Sequence, residues 1–182
     1  MRFRLATATA ADADAIARLH AESWRSAFRG IISDEFLATR AEGDRQRVWR
    51  ERFGAGFNEK FFVVGAEEGS RLLGFSIVFV ESDATYGSLL DNLHVVPELT
   101  RQGIGRRLLS ESARELVKRS SRGLFLWVME GNLRAQQFYK KAGAEFVGSE
   151  LREMPDGGRV MSQRCYWPEP GRLILGAGGE KL

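Results

Sequence analysis

"LTRQGIGRRLL", residues 99 to 109, decides how the rest of the chain is read. It joins an apolar, strand-like run, "SLLDNLHVVP" (88–97), to an arginine-rich stretch whose apolar residues recur at helical spacing. Gly103 and Gly105 stand at that strand-to-helix junction, where residues without a Cβ let the backbone bend and expose successive amides. The amides at a helix N-terminus carry partial positive charge and attract an oxyanion such as phosphate, and Arg101, Arg106 and Arg107 add to it. Two glycines also serve a plain tight turn, so the spacing has to be compared with known phosphate loops. A dinucleotide fingerprint needs a third glycine where Leu108 stands, and a P-loop needs Gly-Lys-Ser/Thr, which is missing.

Working outward, Ile104, Leu108, Leu109, Ala113, Leu116 and Val117 form one apolar stripe and predict an amphipathic helix to about Lys118. In "SLLDNLHVVP", alternation puts Leu89, Asp91, Leu93 and Val95 on one face and Leu90, Asn92, His94 and Val96 on the other. Upstream, "KFFVVGA" and "RLLGFSIVFVE" read as a hairpin turned by "EEGS". Before them, "RFRLATA" makes a first strand, Thr9 caps a helix bearing Ile16, Leu19 and Trp24, and Ser33 opens further helical pieces that end at Gly54 and Gly56. Downstream, "LFLWVM" is a short strand covered on both sides, a helix runs from Asn132 to Ala142 with Gly143 as its terminator, and "AEFVGSEL" and "RVMSQRCYW" pair through "PDGG". The fold class is α/β (α+β). Residues 1–167 form the domain, and residues 168–182, with few core-forming side chains, a C-terminal tail.

The 182 residues suit one domain, and 43% hydrophobic with 28% charged residues is the balance of a soluble globular chain. No apolar run approaches the roughly 20 residues of a membrane span, and the N-terminus lacks the apolar core of an export signal, so the expected setting is cytoplasmic. Cys165 is the single cysteine, and with only His20 and His94 there is no zinc spacing, so no metal is expected. A formal charge of +3 does not demand nucleic acid.

The segment "LHVVPELTRQGIGRRLL" (93–109), followed by "LWVMEGNLRAQQFYKKAGAEFVG" (126–148), resembles the GNAT superfamily of acyl-CoA-dependent N-acyltransferases. "HAESWRSAFRGII" (20–32) also looks like the N-terminal part of a GNAT subgroup, and the likeness spans roughly residues 2 to 167. It implies a mixed, largely antiparallel sheet of six to seven strands flanked by helices, its central strands splayed. It further implies acetyl-CoA as cosubstrate, with the diphosphate on the loop of Arg101, Gln102, Gly103, Ile104, Gly105 and Arg106. The pantetheine arm would then lie along Leu93, His94 and Val95 and near Asn132, a residue that alone reads as a helix cap. Thr100 stands where the family usually has Gln or Arg, which puts that one side-chain contact in question.

Acetyl transfer to an amine with a pKa near ~10.4 needs a base for the ammonium and an acid for the leaving thiolate. Tyr139 matches the family's acid, although Ala135, Phe138, Tyr139 and Ala142 share a face and also read as core packing. Leu89 occupies the position where some members carry a glutamate, so Asp91, two residues on, is the candidate base, ahead of Glu81, Glu22 and His94. The family builds its acceptor pocket from the first helices, which makes Trp24, Phe28 and Arg29 the candidate lining. The resemblance thus implies an N-acetyltransferase acting on a small-molecule or peptide primary amine in a direct ternary complex. The alternative is a non-catalytic acyl-CoA-binding regulator, and a homodimer stays open.

Overall fold

The computed structural model describes residues 3–54 and 60–176, so Gly56 lies outside the described residues. Strand β1 (Arg4–Thr7) leads through a 3-10 turn at Ala10–Asp12 into α1 (Ala13–Ala27). The Thr9 amide donates to Asp12 Oδ2 at 2.7 Å, so Thr9 opens the 3-10 turn and Asp12 stands at the N-cap of α1. Ser33 caps α2 (Asp34–Thr39), its hydroxyl accepting from the Phe36 amide at 3.3 Å. Helix α3 (Ala41–Gly54) is mostly polar and docks through buried Trp49 and Phe53.

The hairpin β2 (Phe61–Glu68) and β3 (Arg71–Asp83) follows, then β4 (Gly87–Val95) and α4 (Ile104–Lys118). Strand β5 (Leu124–Met129), α5 (Leu133–Lys141) and the hairpin β6 (Glu145–Glu153) and β7 (Arg159–Trp167) come last. Helix α5 ends where Gly143 takes φ +82° and the Ala144 amide reaches back to the Tyr139 carbonyl. The seven strands form one sheet in the order β1-β2-β3-β4-β5-β7-β6, and only β4 and β5 run parallel, as a helical crossover requires.

Helices α4 and α5 cover one face, packing Leu108, Leu116 and Tyr139 on Val78, Leu124 and Trp167. Helices α1 and α3 cover the other through Ile16 and Trp49 on Phe75 and Ile77. A buried Ser76–Ser112 hydrogen bond of 2.8 Å pins β3 to α4. β4 and β5 pair only at Ser88–Leu124 and Leu89–Phe125 and then part, which is the expected splay.

Two expectations are corrected. The register of β4 against β3 slips between Leu90 and Asn92, making Asp91 the extra residue of a β-bulge. Strict alternation therefore fails: Leu90 and Leu93 both pack on the α4 side, while Asp91 and Asn92 both reach Arg52 of α3. The segment after residue 167 is not a bare appendage over its described part. Pro170, Leu173 and Leu175 are buried, and the Leu175 amide donates to Ser110 Oγ of α4 at 2.8 Å.

Candidate active site

The parting of β4 and β5 opens a cleft of about 940 Å³ that runs from the end of α1 to the N-terminus of α4. At the α4 end the chain turns sharply. Arg101 takes φ +65° and Gly103 φ +82°, a left-handed pair at the start of α4, where Gly103, Gly105 and Arg106 line the cleft. The Arg107 amide closes the helix's first bond, to the Gly103 carbonyl at 3.1 Å, so the amides ahead of it have no carbonyl of the preceding turn to meet.

Gly105 works differently from expectation. It lies inside the first turn of α4, and a Cβ there would stand 3.4 Å from Leu93 and 3.7 Å from Phe138, so its smallness keeps the cleft floor low. Arg101 and Arg106 line this end, whereas Gln102 and Ile104 do not; the Ile104 side chain is in the core. Thr100 spends its hydroxyl on the Pro97 carbonyl at 2.8 Å. Leu173 and Leu175 complete the wall, a contribution that their place in the tail concealed.

Midway, β4 is bonded to β3 along one edge, and its Leu93, His94 and Val95 line the cleft along with Tyr139. Asn132 lines it too, but its Oδ1 accepts from the Ala135 amide at 3.1 Å and so serves as the α5 cap. Tyr139 is 8% exposed and packs against the rings of Phe138 and Trp167. No hydrogen bond engages its hydroxyl among the described residues. Burial first, and the neighbouring Cys165 second, push the phenol well above its usual range, so it keeps its proton at neutral pH. Cys165 is fully buried and does not line the cleft; desolvation pushes its thiol up to about 12.

At the far end Trp24 and Phe28 pack with their rings tilted by 52° and their centroids 5.5 Å apart, and Trp127 and Met129 of β5 line the same cleft. Arg29 is exposed and does not reach the lining. Asp91 and Asn92 close this end. Asp91 Oδ2 accepts from Arg52 at 2.7 Å, and Asn92 Oδ1 accepts from the same guanidinium at 3.3 Å.

His94 shares a 2.9 Å hydrogen bond with Ser23 and packs 4.4 Å from His20, which accepts from the Trp49 indole at 3.0 Å. Burial, and then the positive Arg45 over Trp24, lower His94 to about 3; burial likewise holds His20 well below its usual range. Both imidazoles are therefore neutral at pH 7. Ser23 and Trp127 were not singled out by sequence, because one reads as a polar position on an apolar helix and the other as core. Among the described residues, no group of three or more His, Cys, Asp or Glu side chains is placed to hold a metal, and no helix is long and apolar enough to cross a membrane.

A mixed sheet whose two parallel central strands part over a helix N-terminus, with an unbonded phenol at the parting, has the architecture of acyl-CoA-dependent N-acyltransferases. The chain belongs to the acetyltransferase (GNAT) family, whose profile matches residues 16–144. It is 30% identical over 156 residues to the uncharacterized N-acetyltransferase YuaI of Bacillus subtilis, covering 85% of this chain and 86% of that protein. It is 26% identical over 157 residues to the spermidine N(1)-acetyltransferase of Thermoplasma acidophilum, covering 85% and 92%. The fold matches the crystal structure of the PaiA N-acetyltransferase of Thermoplasma acidophilum in complex with coenzyme A, at TM-score 0.68 and 22% identity over 89% of this chain and 98% of that one. It also matches the ribosomal-protein-S18-alanine N-acetyltransferase of Escherichia coli, at TM-score 0.64 and 21% identity over the whole of both.

Proposed function

We propose that this acetyltransferase moves an acetyl group from acetyl-CoA to the primary amine of a small molecule or peptide within one ternary complex. The observation that carries the reading is Tyr139, a buried phenol with no bonding partner in the described protein, placed in the cleft between the α4 amides and the aromatic end. The coenzyme complex of the PaiA relative and the spermidine acceptor named for the other support it. The donor site fits on this chain's own features: left-handed backbone at Arg101 and Gly103, a helix N-terminus, two lining arginines and a low floor at Gly105.

Acetyl-CoA supplies the acyl thioester. The amides of Gly103 to Arg106, with Arg101 and Arg106, hold the diphosphate, and the open edge of β4 at Leu93, His94 and Val95 pairs with the extended amide arm. Tyr139, fully protonated at neutral pH, donates to the departing sulfur. Trp24 and Phe28 wall the acceptor. Asp91, held by its ion pair with Arg52 at 2.7 Å, takes the amine proton, directly or through water. Direct transfer suits a chain whose single thiol, Cys165, is buried outside the cleft lining and held protonated.

The test is thiol release from acetyl-CoA with a panel of amino acids, polyamines and short peptides, repeated with Tyr139→Phe. The variant keeps the ring and loses the proton donor. The expected result is kcat down about 10²-fold or more, with coenzyme A affinity and melting temperature near wild type. Unchanged kcat under rate-limiting chemistry removes the acid role.

A further inference from the structure

We propose that the amine acceptor also carries a carboxylate, and that Arg164, with Arg152 beside it, receives this carboxylate next to Trp127 at the aromatic end of the cleft. This rests on the reading of that end as the acceptor site. Arg164 of β7 is the register partner of Trp127 of β5. Its guanidinium lies 4.4 Å from the Trp127 ring centroid and 4.3 Å from that of Tyr86. Its Nε is buried, and neither Nε nor the rest of the guanidinium has a hydrogen-bond partner among the described residues. Arg164 is half-buried, and its one fully buried donor, Nε, is left without an acceptor, which favours an anion beside it.

The nearby Asp83 does not satisfy it, since that carboxylate accepts instead from the amides of Thr85 and Tyr86 at 2.8 and 2.9 Å and feels Arg164 only through its field. Arg152 brings a second guanidinium to 4.9 Å from the same indole, its one ion pair among the described residues being a long 3.4 Å contact to exposed Glu150. Trp127 itself lines the cleft, and the two guanidiniums, which are not among the lining residues, meet that end through its indole. The carboxylate already there, Asp91, is neutralised by Arg52 at 2.7 Å. A polycationic acceptor would meet two guanidiniums and a carboxylate that is already paired. An aminocarboxylate would instead set its amine near Asp91 and its acid group on the arginines.

The experiment is calorimetric titration of the coenzyme A-bound protein with two matched pairs and spermidine. One pair is phenylalanine against phenylalaninamide; the other is a dipeptide amide with glutamate against glutamine at its second position. The expected result is ~10-fold tighter binding of the acid in one pair, identifying a free amino acid or a peptide respectively. In Arg164→Gln that preference shrinks to about twofold, while Arg164→Lys retains part of it; comparing variants cancels the difference in amine pKa between acid and amide.

Equal binding of acid and amide in both pairs, tighter binding of spermidine, or an undiminished preference in folded Arg164→Gln overturns the proposal. Should Arg164→Gln not fold, Arg164→Lys and Arg152→Gln must each weaken the preference, and an unchanged ratio in both overturns it. Turnover of any amine tests the acetyltransferase reading separately, because the acid-over-amide ratio is read from binding.

Discussion

At Asp91 a single bulge residue turns a carboxylate from one face of β4 to the other and hands it to Arg52. If it takes the amine proton, Asp91→Asn preserves fold and coenzyme A binding, loses most turnover near pH 7 and recovers part of it toward about pH 9.5, where more acceptor is already neutral. A carboxylate that only orients the acceptor gives a raised KM at every pH, so both kinetic constants measured from about pH 6.5 to 9.5 separate the two roles. The histidine pair makes a second residue-scale prediction. His94 and His20 have folded pKa values below their unfolded ones, so the stability they contribute is present above about pH 6.5 and is lost as pH falls toward the folded value of about 3 for His94. The melting temperature is expected to drop by about 6–12 °C between pH 6.5 and 5, and by about half that in His94→Gln, as scanning calorimetry would show.

The strand–turn–helix element from β4 through α4 is the proposed donor site. Gly103 and Gly105 look equivalent in sequence yet do separate things: one supplies a left-handed backbone, the other leaves a gap above Leu93 and Phe138. A valine at position 105 leaves the helix start intact, since valine is no poorer a helix former than glycine, but sets its methyl groups toward the cleft. For Gly105→Val, coenzyme A is expected to give little of the thermal shift it gives wild type, while the unliganded melting temperature stays within a few degrees. A wild-type shift would remove this turn from the donor site. Gly103→Ala, by contrast, forces a Cβ into a left-handed conformation and is expected to lower the unliganded melting temperature itself, at ~1–2 kcal/mol.

For the molecule as a whole, the described part of the C-terminal segment closes the α4 side. Leu173 and Leu175 are 6% and 8% exposed, line the cleft wall and are tied to Ser110 and Arg114 of α4. Burying two such side chains is worth roughly 1.5–3 kcal/mol each, so ending the chain after Trp167 is expected to lower the melting temperature by ~10 °C and to weaken coenzyme A binding. A truncated chain with wild-type melting and affinity would restore the boundary at 167. In the proposed reading the sheet divides the remaining work, its α4–α5 face carrying the donor end and its α1–α3 face, with the half-buried arginines of β6 and β7, the acceptor end.

Local rules were enough for the elements. The α4 stripe, the Ser33 and Asn132 caps, the Gly143 stop and the two hairpins follow from periodicities and turn residues that act over a few positions. The place of Tyr139 also followed, because helix phase fixes which side chains share a face. The bulge at Asp91 did not, since an extra residue in β4 exists only relative to the register of β3. Nor did the wall made by Leu173 and Leu175, which depends on an uncovered groove on α4, or the meeting of Ser23 with His94 across 71 residues and of Arg164 with Trp127 across two strands. Those are juxtapositions of distant segments, and they form only when the sheet brings the segments together. Sequence alone determined the elements and the family; the tertiary structure decided which distant charged side chains meet around the cleft.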